Sequence, residues 1–274
     1  MLTVSLLSLV LSVPAQNAPL TWLKDYDQAT ARAVKEKKDL VIVFQEDGDL
    51  NDVLADKTIV QQLKKRFVCL RLPVDYQYEG KRLLETPALS DMMGKPGLAI
   101  VSMHDDQLPT HWQVISAHPL APSRYRWVPS FGVEQMQVVL DLPAKATLSQ
   151  RSMIYAVSVH PEEPQSVYGE CHPAFLGHAE SHSRRQASMQ SMHHANLGAV
   201  MGRLGVSGAS EVVATSWGRV VGGENVLEAC YSAIDGWRNS AGHWRSVSGR
   251  QRYFGYDIAQ GNNGTWYATG IFGN

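Results

Sequence analysis

Cysteine is scarce in this chain, with three residues in 274, too few for a scaffold built on disulfides. An excess of either charge is also missing: 25 Lys and Arg stand against 26 Asp and Glu, a formal net charge of −1. No global field is therefore available to hold nucleic acid or an anionic membrane. No apolar run reaches the ~20 residues a helix needs to cross a bilayer. A phosphate loop, a dinucleotide fingerprint, a Gly-x-Ser-x-Gly nucleophile elbow and an internal repeat are absent as well. The remaining composition, 44% hydrophobic and 19% charged, is that of a globular protein. At ~100–200 residues per domain the length predicts two domains.

Residues 1–13 are nearly continuous Leu, Val and Ser. The stretch is too short to span a membrane, and Val13-Pro14-Ala15 offers small residues where a signal peptidase reads. Residues 1–15 are therefore expected to be a signal peptide cleaved after Ala15, although no Lys or Arg precedes the apolar run. The mature chain is expected in the secreted or periplasmic space, with no stable membrane span. In such a compartment an odd number of cysteines leaves at least one unpaired. Cys69, inside Phe67-Val68-Cys69-Leu70-Arg71-Leu72, reads as core. Cys171 and Cys230 can pair only if their side chains meet, which spacing does not decide.

In the first half, Trp22, Tyr26, Ala29, Ala33 and Val34 recur at helical spacing, closed by the basic segment 35–38. Leu40-Val41-Ile42-Val43-Phe44 reads as a buried strand. Leu50, Val53, Leu54, Ile59, Val60 and Leu63 mark helix before the Cys69 strand. Residues 97–103 read as another strand, 111–116 as its hairpin partner and 133–142 as a closing helix. This order resembles the thioredoxin fold over residues 20–142, with Pro96 where that family places a cis-proline. The redox chemistry of that family needs a Cys-x-x-Cys pair after the first core strand, and the corresponding loop is Gln45-Glu46-Asp47-Gly48-Asp49-Leu50. Without a thiol there, no mixed disulfide forms. Residues 16–145 are thus expected to be a redox-inactive thioredoxin-like α/β domain. Glu46, Asp47, Asp49 and Asp52 lack calcium-loop spacing and read as solvated charges.

Leu142-Pro143-Ala144-Lys145 ends this domain. Met153-Ile154-Tyr155-Ala156-Val157-Ser158-Val159 reads as a bridging strand, followed by a connection marked by Pro161 and Pro164. A long helix is indicated from Pro173, with Phe175, Ala179, Ala187, Met189 and Met192 as its broken apolar stripe. His178 and His182 share one face of it, a spacing that can hold a metal. His-Ala-Glu-Ser-His is not the zincin His-Glu-x-x-His, however, because Glu180 is turned off that face. These two read as solvated or hydrogen-bonded helix histidines.

Farther on come His193-His194, Ser210-Glu211-Val212-Val213-Ala214, Trp237-Arg238-Asn239-Ser240-Ala241-Gly242-His243-Trp244, and the ending Trp266-Tyr267-Ala268-Thr269-Gly270-Ile271-Phe272-Gly273. Val226, Cys230, Ala233, Ile234 and Trp237 line one face of a helix that residues 239–242 terminate. The turn Gly261-Asn262-Asn263-Gly264 joins alternating strands at 253–259 and 265–271. In this order the segments resemble a short bacterial member of the CAP superfamily over about residues 170–274, implying a CAP-like α-β-α sandwich domain at 150–274. In that family a His after the first long helix, a Glu, and the His of Trp-x-x-Ser-x-Gly-His converge in one cleft. The residues implied are His194 with its neighbour His193, Glu211 and His243. Glu224, in Gly223-Glu224-Asn225-Val226, competes with Glu211 for the acidic position, its other reading being the acidic start of a helix. Two imidazoles and a carboxylate can bind zinc and leave a position open, so His194, Glu211 and His243 are a candidate zinc set. The resemblance implies an exported binding protein for a small apolar ligand or another protein, with a zinc hydrolase using Glu211 as base as the alternative. No nucleophile is indicated, since no orienting Asp accompanies Ser240.

Overall fold

The computed structural model describes residues 20–45, 48, 50–206, 208–216 and 225–274. Residues 1–15, expected to be a signal peptide, and Glu46, Asp47, Asp49 and Glu224 lie outside the described residues.

The first half is built on a five-stranded sheet in the order β1-β3-β2-β6-β7. Its members are β1 (Trp22–Leu23), β2 (Asp39–Phe44), β3 (Phe67–Leu72), β6 (Gly97–Val101) and β7 (Val114–Pro119), with a small hairpin, β4 (Gln77–Tyr78) and β5 (Lys81–Arg82), beside it. Strands β1, β3 and β2 run parallel, whereas β6 is antiparallel to both β2 and β7. Helix α1 (Tyr26–Glu36) starts at Asp25, whose carboxylate accepts from Gln28 N at 2.8 Å, and stops at Lys37 in the left-handed region. The helical residues between β2 and β3 form two helices, α2 (Asn51–Ala55) and α3 (Lys57–Arg66). Asp56 separates them by accepting from Thr58 N and Ile59 N.

Strand alternation divides the first-half core in two. Leu40, Ile42 and Phe44 face Ala29 and Ala33 of α1, while Val41 and Val43 face Ile59 and Leu63 of α3 and Met136 and Val139 of α4 (Val133–Asp141). The partner of β6 begins at Val114 rather than at residue 111, and the Pro96 peptide is not cis, unlike the bond the thioredoxin resemblance implies.

In the segment Met153 to Val159, read from sequence as a strand, residues 153–158 belong to helix α5 (Leu148–Ser158) and Val159 is its C-cap. The run is apolar on every side because α5 lies between β7 on one hand and α8 (Val226–Arg238) and β10 (Tyr253–Gln260) of the second half on the other. A continuous apolar segment fits either structure. The decisive local feature is a capping box: Thr147 Oγ1 accepts from Gln150 N, and Gln150 Oε1 accepts from Thr147 N. Arg151 is buried on α5 and donates to the carbonyls of Val139, Leu142 and Pro143 at the end of α4 and to Ser116 Oγ. Burial pushes its pKa down to about 9, which leaves it protonated at neutral pH.

The second half holds a four-stranded sheet in the order β8-β10-β11-β9, made of β8 (Glu170–Cys171), β9 (Ala209–Thr215), β10 (Tyr253–Gln260) and β11 (Trp266–Gly273). The antiparallel hairpin β10–β11 forms where the sequence alternation predicts it. Four helices accompany this sheet: α6 (Pro173–Met189), α7 (Leu197–Leu204), α8 (Val226–Arg238) and α9 (Ala241–Ser248). Gly255 lies against the α6 backbone and Ile271 clusters with Phe175 of that helix, whereas Phe254, Tyr256, Ala268 and Phe272 share a cluster with Trp237 of α8. Met189 and Met192 are exposed rather than part of the α6 apolar stripe. One apolar cluster takes in residues of both sheets. The three cysteines are unbridged, so Cys171 and Cys230 do not pair. Among the described residues, no helix is long and apolar enough to cross a membrane.

Candidate functional site

Glu211 sits on β9, at one edge of the second sheet. Val212 and Ala214 join the cluster under α8, so alternation turns Glu211 to the opposite face, toward α6. His178 and His182, one turn apart on α6, meet it there with their rings stacked 6.0 Å apart and 7° from parallel. Their register is fixed by neighbouring bonds: Gln186 Nε2 donates to Thr269 Oγ1 at 3.0 Å, and Ser183 Oγ donates to Asp257 of β10.

After α6 ends at Gln190 in the left-handed region, the chain folds back over the same face. His193 N donates to Gln186 Oε1 at 3.2 Å. His182 Nε2 lies 2.9 Å from the His193 carbonyl, and because a carbonyl only accepts, this nitrogen carries the proton. The fold-back delivers Ala195 N to Glu211 Oε2 at 2.8 Å and His194 Nδ1 to the same oxygen at 3.2 Å. A carboxylate likewise only accepts, so His194 donates through Nδ1, which leaves Nε2 outside this bond. The His194 side chain is 53% exposed, while that of Glu211 is 0% exposed.

Glu211 Oε1 is 3.5 Å from His178 Nε2 and 3.7 Å from His182 Nε2. Glu211 Oε1 and His178 Nε2 are both shielded from solvent and face each other. Burial acts against the Glu211 charge, but His178, the Ala195 N–H, His182 and His194 outweigh it and hold the carboxyl pKa below its usual value. The His182 pKa is lowered, chiefly by burial.

His243 completes the group. It lies in the first turn of α9 rather than in a loop beyond the preceding helix: α8 ends at Arg238 and a new helix begins at Ala241. Its ring centroid is 5.8 Å from that of His194. Burial, and then the neighbouring His194, lower its pKa and favour the neutral imidazole.

The structure thus sets His194 beside both Glu211 and His243, with His193 edge-on to His182 at 5.1 Å. It adds His178 and His182, which line the cleft together with Arg185 and Arg203 around a volume of about 670 Å³. Their four-residue spacing was the available signal. Glu180 points elsewhere, to Arg184 at 2.7 Å, as expected for a carboxylate off that face. At the start of α8, Asn225 accepts from Glu228 N and Asp91 accepts from Val226 N.

Zinc can be judged by donor chemistry. His194 Nε2 and the neutral His243 ring are suitable donors, but Glu211 Oε2 is occupied by two N–H groups, so this carboxylate suits the outer partner of a ligating imidazole better than a ligand position. Among the described residues, no group of three or more His, Cys, Asp or Glu side chains has metal-binding geometry. Comparison with protein-family models, curated proteins and solved structures finds no match for this chain.

Proposed function

We propose that this is an exported protein of two domains, a redox-inactive thioredoxin-like domain at 16–145 and a CAP-like domain at 150–274, whose His/Glu cleft binds a small ligand or a partner group without catalysing a reaction. Supporting the first part are the strand order β1-β3-β2-β6-β7 and the lack of a thiol in residues 45–50. Supporting the second are α6 and α8 on opposite faces of the second sheet and the approach of His194 to Glu211 on one side and His243 on the other.

One observation carries the binding role. Beside the buried Glu211, a cleft of about 670 Å³ is lined by His178, His182, His193, His194, Arg185 and Arg203. Imidazole and guanidinium donors gathered in one concavity suit a ligand or partner group that accepts hydrogen bonds.

A second reading, zinc-dependent hydrolysis, is favoured by one feature: Glu211 orients the His194 ring so that Nε2 faces outward beside His243. Bound zinc would supply an activated water or a Lewis acid. Glu211 would then orient His194 rather than act as the base, because its side chain is fully buried.

Native mass spectrometry and metal analysis of the purified mature chain, with His243→Ala beside it, separate the two. A stoichiometric organic adduct that the variant loses is the expected result. Stoichiometric zinc lost in the variant selects the second reading, and wild-type protein carrying neither removes both.

A further inference from the structure

Away from the His/Glu cleft, a second cavity of about 690 Å³ opens between the two halves of the chain. This is within the ~300–1,000 Å³ typical of small-molecule sites. One wall comes from residues 118–131 of the first half, and the other from α5 and α8, through Tyr155, Leu227 and Tyr231. The lining is aromatic: Tyr125 meets Tyr231 edge-on at 6.5 Å, and His118 meets Tyr155 edge-on at 4.5 Å. Pro119, Pro122 and Pro129 stiffen the loop that forms the first wall.

The charge of the mouth points to the occupant. Exposed Lys95 and Arg126 join Arg124, whereas Glu228 is the acidic residue of the lining, 3.8 Å from Arg124. His118, 3% exposed, packs with Phe131 and Tyr155 as part of the aromatic wall. A neutral apolar guest would make no use of this charge.

We infer that this cavity is a binding site for a small aromatic carboxylate, its ring against Tyr125, Phe131, Tyr155 and Tyr231 and its carboxylate at Lys95 and Arg126. Ring stacking on rigid aromatic walls supplies affinity, and the basic mouth selects an anion. The site is separate from the His/Glu cleft and does not depend on the function proposed for it.

The probe is 6-hydroxy-2-naphthoate, titrated calorimetrically into the full mature chain, with its neutral 2-hydroxymethyl analogue as control. Saturable 1:1 binding is expected, and weaker binding of the neutral analogue. The exposed double variant Lys95→Glu, Arg126→Glu should weaken the naphthoate roughly tenfold, and Leu227→Trp, which fills the cavity, should abolish binding. His243→Ala should bind as wild type does. Binding that is not saturable, that survives both cavity variants, that is matched by the neutral analogue, or that is lost in His243→Ala overturns the assignment.

Discussion

At the scale of single residues, the second half sets two buried carboxylates in opposite conditions. Glu211 faces imidazoles and an amide N–H and is held below its usual pKa, whereas Asp257 is raised to about 6, mainly by burial, with the Ser149 and Ser183 hydroxyls working the other way. An unfolded Asp titrates near ~3.9. Between these values the folded chain binds more protons than the unfolded one, so Asp257 lowers stability as pH rises from about 4 to 6. The full effect is at most roughly 3 kcal/mol. Asp257→Asn removes this dependence. In urea unfolding at pH 4.5 and 7.5, stability of the variant relative to wild type should therefore increase with pH by roughly 1–3 kcal/mol; an unchanged difference would contradict the assigned shift.

Among the elements, α6, which supplies His178 and His182 to the cleft, packs directly on β10. A Cβ at Gly255 would stand 2.3 Å from Phe175 C and 2.5 Å from Leu176 N, both backbone atoms of α6 that cannot rotate aside. Gly255→Ala should cost about 1–3 kcal/mol, the usual range for overpacking, and should disturb the meeting of His178 with Glu211. Exposed Gly177, within α6, meets nothing within 4 Å, so Gly177→Ala should raise stability by roughly 0.5–1 kcal/mol. Chemical denaturation of the pair checks both signs. Elements with a clear period were legible from sequence: β2 from its apolar run, and β10 and β11 from alternation around Gly261-Asn262-Asn263-Gly264. Helix α5 was not, since a helix buried all round loses the polar face that marks its period. Helix α9 was hidden because Ser240 and Gly242 read equally as the end of one helix and the start of the next. Only a family likeness drew Glu211, His194 and His243 together, and His178 escaped because its role rests on a strand 33 positions later in the chain.

For the molecule as a whole, α5 is the shared member, with Met153, Ile154, Tyr155, Ala156 and Val157 in the same apolar cluster as residues of both sheets. Asp91 of the first half also accepts from Val226 N at the start of α8. Two halves joined this way should unfold together. Calorimetry is expected to show one transition with equal calorimetric and van't Hoff enthalpies, and two separated peaks would show that each half keeps its own stability. The thiols carry a different consequence. Burial pushes Cys69 and Cys171 up to about 12 and Cys230 well above its ordinary value, and no covalent bond joins them. Little thiolate is available for oxidants or alkylating agents, and a reductant has nothing to cleave, so the folded chain should keep its shape whether its surroundings are oxidising or reducing.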